Sequence, residues 1–537
     1  MPGGSSSMAS RNVYLKQNVI VEPLYNQWYA WSYLIAPATA AMFTANWHLK
    51  LMQSFVNSPQ VHIAAMKNPA MLGGPFINYD EKRVPQIRAL MDRTGKEKSH
   101  LVALAESIKA CDDMLRTEAT GFSLEQLYAR VPERLKGFVE LNYDLNNHPS
   151  IRFIEALLYR SEYYDESAQS VTLTLSEQDT RQFVFSTPRL PGEECRHLRR
   201  PFRDGSYDQL FKMKTVPQPL DHVKEVFGLE SREIEKFAPL FTERSPAIPR
   251  RQAIEGVRIR YIGHACVLIE TESVSILCDP VVSYGDQRDV ERVTYADLPE
   301  TIDYALITHN HSDHCMFETL LQLRHKIKNV IVPKNNGGQL SDPSLKLVLQ
   351  HLGFQATREI DELETIEIED GYILGVPFLG EHADLNIRSK TAFLVKLKGK
   401  TILLVADSNN LEPQLYKYMH DLTGDIDVLF IGMECDGAPL TWLYGPLLTT
   451  SLSRKVDQSR RLDGSNCEKG MKIVNYLKPK QVYVYAMGLE PWLTYLTSIQ
   501  YTDTSRPILE SSKLVEECRR LGSTAERLYC HKEILLN

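Results

Sequence analysis

The chain has no CxxC pair, and its nine cysteines, from Cys111 to Cys530, are scattered and odd in number. That usage excludes a disulfide-stapled secreted fold and predicts a reducing compartment, the cytoplasm. A secretory leader is missing: residues 1–10 are small and polar and are expected to form a disordered or cloning-derived tail. Long apolar runs are missing as well. Residues 28–42 are interrupted by Ser32, Pro37 and Thr39 and are too few to span a bilayer, so they predict a buried core segment and no membrane partner. There is no long basic run, and the formal net charge of -7 removes any general attraction to nucleic acid. Nor is there a Gly-rich nucleotide loop, a flavin or iron–sulfur motif, an internal repeat or a long low-complexity tract.

What remains is an ordinary soluble composition, 43% hydrophobic and 24% charged, over 537 residues, more than one hydrophobic core usually supports. At least two domains are expected. Residues 11–245 mix periods: 99–116, 123–140 and 150–163 predict helices, whereas 170–175 and 182–185 predict strands. Aromatics crowd its start (Tyr25, Trp28, Tyr29, Trp31, Tyr33, Phe43 and Trp47), and a hydrophobic core is favoured over a docking or dimer surface there. The stretch 244–251, with Pro246 and Pro249, breaks both periods and predicts the linker. In residues 246–537, apolar strands near 259–269, 274–277, 305–307, 330–332, 392–397, 402–405, 428–431 and 482–485 alternate with helical stretches, and Lys398-Gly399-Lys400 predicts a hairpin turn. Periodicity alone makes this half mixed α/β.

The chemistry concentrates after the strand Tyr304-Ala305-Leu306-Ile307. His309, His311, Asp313 and His314 place four strong metal ligands in six positions of one loop. Histidines capping a helix are the bland alternative, but three with an aspartate at this spacing seldom arise without a metal. Two imidazoles two residues apart can hold one ion while Asp313 and His314 turn to a second.

The HxHxDH pattern resembles the signature of the metallo-β-lactamase superfamily, and Tyr261 to Ile269 with Cys278-Asp279-Pro280 look like the first strands of that fold. The resemblance implies an αββα sandwich over residues 246–537, preceded by a large mixed α+β N-terminal domain. It also implies that Asp279 buttresses the site without ligating and that Asp407, after the strand 401–406, bridges two metals. Hydrolases of this superfamily supply one histidine after a middle strand and another after a late one. Here the middle loop carries adjacent Glu381 and His382, and the late strand 481–485 runs into Ala486-Met487-Gly488 with no histidine. An oxygen-rich, open site suits iron and O2 better than a closed zinc site.

The pattern as a whole resembles the diiron β-hydroxylases of the chloramphenicol-biosynthesis type. That resemblance implies two iron ions, one held by His309, His311 and Glu381, the other by Asp313 and His314, with Asp407 bridging; His382 beside Glu381 is the alternative ligand, and the one a zinc hydrolase would use. It implies O2 as co-substrate, an external two-electron donor or reductase, a homodimer, and a β-hydroxylated amino acid held as a thioester on the peptidyl carrier domain of a non-ribosomal peptide synthetase. The alternative is a dinuclear zinc hydrolase of the phosphodiesterase or phospholipase kind. Glu434, at the end of the strand 426–433, is a candidate partner for a metal ligand or a substrate amine, or a solvated loop charge. His264 and Cys315 are expected to pack or hydrogen-bond rather than ligate.

Overall fold

The computed structural model describes residues 11–175, 181–192, 195–248, 253–285 and 290–537. The expected tail at 1–10 and the linker residues 249–251 lie outside them. Two seven-stranded sheets pack face to face in the C-terminal half. In the first, Lys532–Leu536, Val257–Gly263, Cys266–Glu270 and Ser275–Cys278 pair antiparallel, and Ile302–Leu306, Ile327–Pro333 and Thr357–Ile360 continue it in parallel. The second repeats that plan: four antiparallel strands, Thr365–Ile368, Gly371–Val376, Ala392–Leu397 and Lys400–Leu404, then three parallel ones, Val428–Gly432, Gln481–Tyr485 and Thr524–Arg527. Sequence carries no repeat, yet topology does.

Alternation explains the layering. Val257, Ile259 and Tyr261 from one sheet meet Phe393, Val395 and Leu397 from the other in a dry seam, while Ala392 and Leu394 turn outward. The outer face of the second sheet is covered by helices Gln414–Thr423, Cys467–Leu477 and Arg506–Arg520 through Met419, Val474 and Leu514. Lys398 and Gly399 both have positive φ, 47° and 80°, the turn that a two-residue hairpin between twisted strands requires.

The N-terminal half is built on a four-stranded antiparallel sheet in the order Trp28–Tyr29, Val19–Tyr25, Gln169–Leu175, Cys195–Leu198. Residues 28–42 are buried, as the sequence predicted, and among the described residues no helix is long and apolar enough to cross a membrane. The early aromatics are core except Trp47, which is half-buried.

Three expected elements differ. Residues 123–140 form two 3-10 turns, Glu125–Arg130 and Glu133–Leu135, because Pro132 and Gly137 interrupt the helical period. Residues 150–163 contribute the strand Pro149–Phe153, paired with Val139–Tyr143 and tied by Phe153 N–H to Gly338 O at 2.7 Å, followed by the short helix Glu155–Leu158. Residues 182–185 make a turn, with Phe183 at φ 57°, not a strand.

The two halves are clasped by buried charge. Glu318, fully buried on the helix Phe317–Leu323 that follows the metal-ligand loop, accepts hydrogen bonds from Tyr29 at 2.7 Å and Tyr284 at 2.6 Å, and pairs with Arg181 at 2.9 and 3.0 Å. Arg181 also reaches Glu22 at 3.1 Å, and Arg189 holds Glu22 at 2.7 and 2.8 Å. Burial pushes the Glu22 carboxyl up, but Arg189 and Arg181 outweigh it and hold it at about 2. Removing one partner of such a network strands the others without water. Glu318→Ala is therefore expected to cost about 3–5 kcal/mol, read as a lower urea midpoint; an unchanged midpoint would show the clasp to be energetically idle.

Candidate metal centre

Five strand ends on one rim of the sandwich converge. The strand Ile302–Leu306 delivers Thr308 to His314, Ser275–Cys278 delivers Asp279, Lys400–Leu404 delivers Asp407, Gly371–Val376 leads to Glu381 and His382, and Val257–Gly263 ends at His264. Four of these ends are left-handed: His264 at φ 51°, Asp279 at 39°, Glu381 at 66° and Ala406, just before Asp407, at 46°. Such backbone costs on the order of 1–3 kcal/mol per non-glycine residue and needs its surroundings to impose it. In the middle loop the surroundings are visible. Gly380, at φ 69°, lies so close to the next loop that a Cβ there would sit 2.5 Å from Asn409 Cβ, while Lys390 donates to its carbonyl at 2.9 Å.

Among the described residues, three sets of donors have their ligand atoms within 4.8 Å of one another: His309, His311 and Glu381; His309, His314 and Asp407; and His264, Asp313 and His314. Glu381 Oε1 lies 2.8 Å from His311 Nδ1, and its Oε2 lies 4.0 Å from His309 Nε2. Asp407 Oδ2 is 3.1 Å from His314 Nε2. The histidines and Glu381 are buried, from 0% exposure at His309 and His314 to 8% at His311, while Asp313 and Asp407 are partly exposed. Yet His309 Nε2, His264 Nε2 and Asp407 Oδ1 have no hydrogen-bond partner. Buried polar atoms left this way are costly, and several aimed into one space fit cations that satisfy them together.

Electrostatics agree. Burial, then His314 and His311, drive the His309 pKa well below its ordinary value, leaving a neutral imidazole with a free lone pair. Burial opposes charge on His314 too, but Asp407, Asp279 and Asp313 overcome it and raise that pKa strongly. Burial likewise pushes Glu381 up, and His311 and His382 bring it down to about 2. The ionised carboxylates thus demand positive charge, which the ring protons supply until a metal displaces them.

Supporting contacts fix the rings. Asp279 accepts from Thr308 N–H at 2.7 Å, from the Thr308 hydroxyl at 2.6 Å and from His314 Nδ1 at 2.8 Å, so His314 turns Nε2 inward. Thr308 Oγ1 also meets His309 Nδ1 at 3.0 Å. His264 Nδ1 accepts the Gly488 N–H at 3.2 Å, and its Nε2 lies 3.2 Å from Asp313 Oδ2. That nitrogen makes no hydrogen bond, and His264 shares a donor set with Asp313 and His314.

His382 does not join any of the three sets; its Nδ1 lies 2.7 Å from Glu381 Oε2 and its ring stacks on His311 at 4.6 Å. Tyr444, whose hydroxyl meets His311 Nε2 at 3.2 Å, carries no sequence signal that could have found it. Glu434 is not in a donor set. Its carboxyl accepts from Tyr501 and from Asp436 N–H at 3.3 Å, and burial, joined by Asp407 and Asp436, pushes it up to about 8. Cys315 packs in the apolar core.

Paired sheets with a rim of histidines and carboxylates able to hold two ions define a metal protein of the metallo-β-lactamase fold. Residues 258–443 match the beta-lactamase superfamily domain, and residues 14–245 match the diiron non-heme beta-hydroxylase N-terminal domain. The chain is 40% identical over 531 residues to the 4-amino-L-phenylalanyl-[CmlP-peptidyl-carrier-protein] 3-hydroxylase of Streptomyces venezuelae, spanning 97% of this chain and 99% of that protein. The crystal structure of CmlA, a diiron beta-hydroxylase from Streptomyces venezuelae, matches with a TM-score of 0.92 at 39% identity over 98% of this chain and 100% of that one. A CmlA variant matches with a TM-score of 0.90 at 38% identity. The chain belongs to the diiron non-heme β-hydroxylase family.

Asp279 tests how much the rim relies on orientation. In Asp279→Asn the amide cannot accept from both Thr308 and His314 as the carboxylate does, so iron affinity measured against a competing chelator is expected to fall roughly 10- to 100-fold. Wild-type affinity would mean that His314 is positioned by its backbone alone.

Proposed function

We propose that this protein hydroxylates the β-carbon of an amino acid held as a thioester on the peptidyl carrier domain of a non-ribosomal peptide synthetase. In balance, one C–H bond and O2, with two electrons and two protons from an external donor, give one C–OH bond and water. The observation that carries this reading is the Glu381 carboxylate lodged against His309 and His311, in a chain similar end to end to a hydroxylase whose substrate is an aminoacyl carrier protein. A zinc hydrolase is disfavoured by the same carboxylate and by the late strand, where Gly488 offers a backbone N–H to His264 in place of a histidine ligand.

On this reading His309, His311 and Glu381 would hold one iron and Asp313 and His314 the other, with Asp407 available to both. The iron pair supplies the reduction of O2 and the oxidation of the C–H bond. The chain's own residues supply the frame. Asp279 and Thr308 orient His314 and His309, His264 stands beside Asp313, and His382 braces Glu381 from behind. Glu434, pushed up to about 8 by burial, Asp407 and Asp436, can hold a proton or meet the substrate amine. The residues before about 246 form an N-terminal domain that walls this site, shapes the approach of the carrier and helps form a homodimer. All nine cysteines are unpaired, in keeping with the cytoplasm.

Two expectations follow for the purified enzyme. Glu381→Ala is expected to lose iron and activity, whereas His382→Ala keeps most of its iron; metal analysis giving the reverse would transfer the ligand role to His382. Reduced enzyme mixed with O2 is expected to hydroxylate the loaded carrier and to leave the same free amino acid nearly untouched, because tethering raises the effective concentration at the site. Mass analysis after thioester release checks this, and equal turnover of the free amino acid would sink the carrier reading while leaving the iron assignment standing.

A further inference from the structure

Ser312, between His311 and Asp313, lines a narrow chamber walled by Trp31, Phe185 and Tyr495. Trp47, Gly73, Trp442 and Pro446 line both this chamber and an outer bowl of about 620 Å³. Those four residues are therefore the neck between solvent and the metal loop. The neck is closely fitted: Trp442 Nε1–H donates to Gly73 O at 3.3 Å, and at Gly73, φ 75°, a Cβ would lie 2.8 Å from Ser498 Cβ. Its helix, Leu440–Tyr444, also carries the tyrosine that meets His311.

The bowl has a charge signature of its own. Lys50 and Lys109 line it together with Thr449, Thr450 and Ser451 and no carboxylate does, Asp112 lying behind the wall where it accepts from the Thr449 hydroxyl at 2.7 Å. Neither lysine makes an ion pair among the described residues; Lys109 Nζ instead rests on the side-chain oxygen of Asn46. Burial, then Lys50, lowers the Lys109 pKa. Two cations in one concavity repel each other, and an anion bound between them relieves the repulsion.

We propose that the bowl and neck receive the phosphopantetheine arm of the carrier, Lys50 and Lys109 binding its phosphate while Trp47 and Trp442 flank the pantetheine chain and the thioester enters the chamber beside Ser312. This rests on the carrier-bound reading above. The bowl matches the arm in order as well as in charge: an anionic head stays at the wet rim, a mostly apolar chain with amides passes two indoles, and the aromatic chamber takes the acyl end. Lysine suits the head because it binds phosphate as a mobile point charge.

Binding of 4′-phosphopantetheine and of pantetheine to the iron-loaded enzyme, followed by intrinsic tryptophan fluorescence, isolates the phosphate. The wild type is expected to hold the phosphorylated arm roughly tenfold more tightly, the yield of about one charge-assisted hydrogen bond. The K50A/K109A double variant is expected to lose that preference, with iron content and pantetheine affinity kept. A wild type without the preference, measurable binding of either probe included or not, overturns the proposal. So does a double variant that keeps the preference, or one that loses pantetheine and iron as well. Failure of the wild type to hydroxylate any loaded carrier would instead defeat the functional reading, and hydroxylation with no phosphate preference would defeat only this route.

Discussion

His314 is held at both ring nitrogens by carboxylates, Asp279 at Nδ1 and Asp407 at Nε2, and the rest of the rim is arranged around that grip. The two aspartates hold equivalent places in the two sheets. Asp279 follows the last antiparallel strand of the first and Asp407 that of the second, each just before the parallel run begins. One histidine thus joins the two layers at their common edge. Because the ring cannot lean toward one carboxylate without leaving the other, the separation of the sheets at the rim and the orientation of the donor set are a single constraint.

The loop that carries this ring is also held from the other half of the molecule. Glu318, four residues past His314, is locked into the arginine and tyrosine network, and Tyr444 touches His311 while packing against Tyr33 with ring centroids 6.3 Å apart. The N-terminal half is accordingly part of the wall of the site, and one apolar cluster runs without a break from Val21 and Leu34 to Leu320 and Val348. A small oxygen-activating pocket benefits from such rigidity, since stiff walls keep donors in place and solvent out.

Most of the C-terminal architecture was legible because parallel and seam-facing strands must be apolar whatever surrounds them, and Lys398-Gly399 states its own turn. The N-terminal half was less so. Residues 150–153 have a helical pattern locally, but the partner Val139–Tyr143 and the Gly338 carbonyl lie elsewhere and outweigh it. Of the rim, the four donors from His309 to His314 are neighbours in sequence and hence conspicuous. Glu381 and Asp407 reach them only through resemblance, and His264 and Tyr444 are tied to the site by contacts across more than 40 and 130 residues that no spacing rule encodes. An extended loop would send the Glu381 and His382 side chains apart, whereas the left-handed Glu381 keeps both against His311, an arrangement no residue spacing announces.

The left-handed strand ends have a consequence for anyone transplanting this chemistry. Grafting the donor side chains of the rim onto another sandwich would copy the chemical groups and none of the directions in which they leave the sheet. Those directions come from backbone that alanine, aspartate, glutamate and histidine adopt reluctantly, and that ordinary hairpin and crossover loops do not offer. What must be carried across is a set of strained exits together with the packing that enforces them, including a glycine pressed against Asn409. The inheritable unit is a rim, and a ligand list describes only its inner surface.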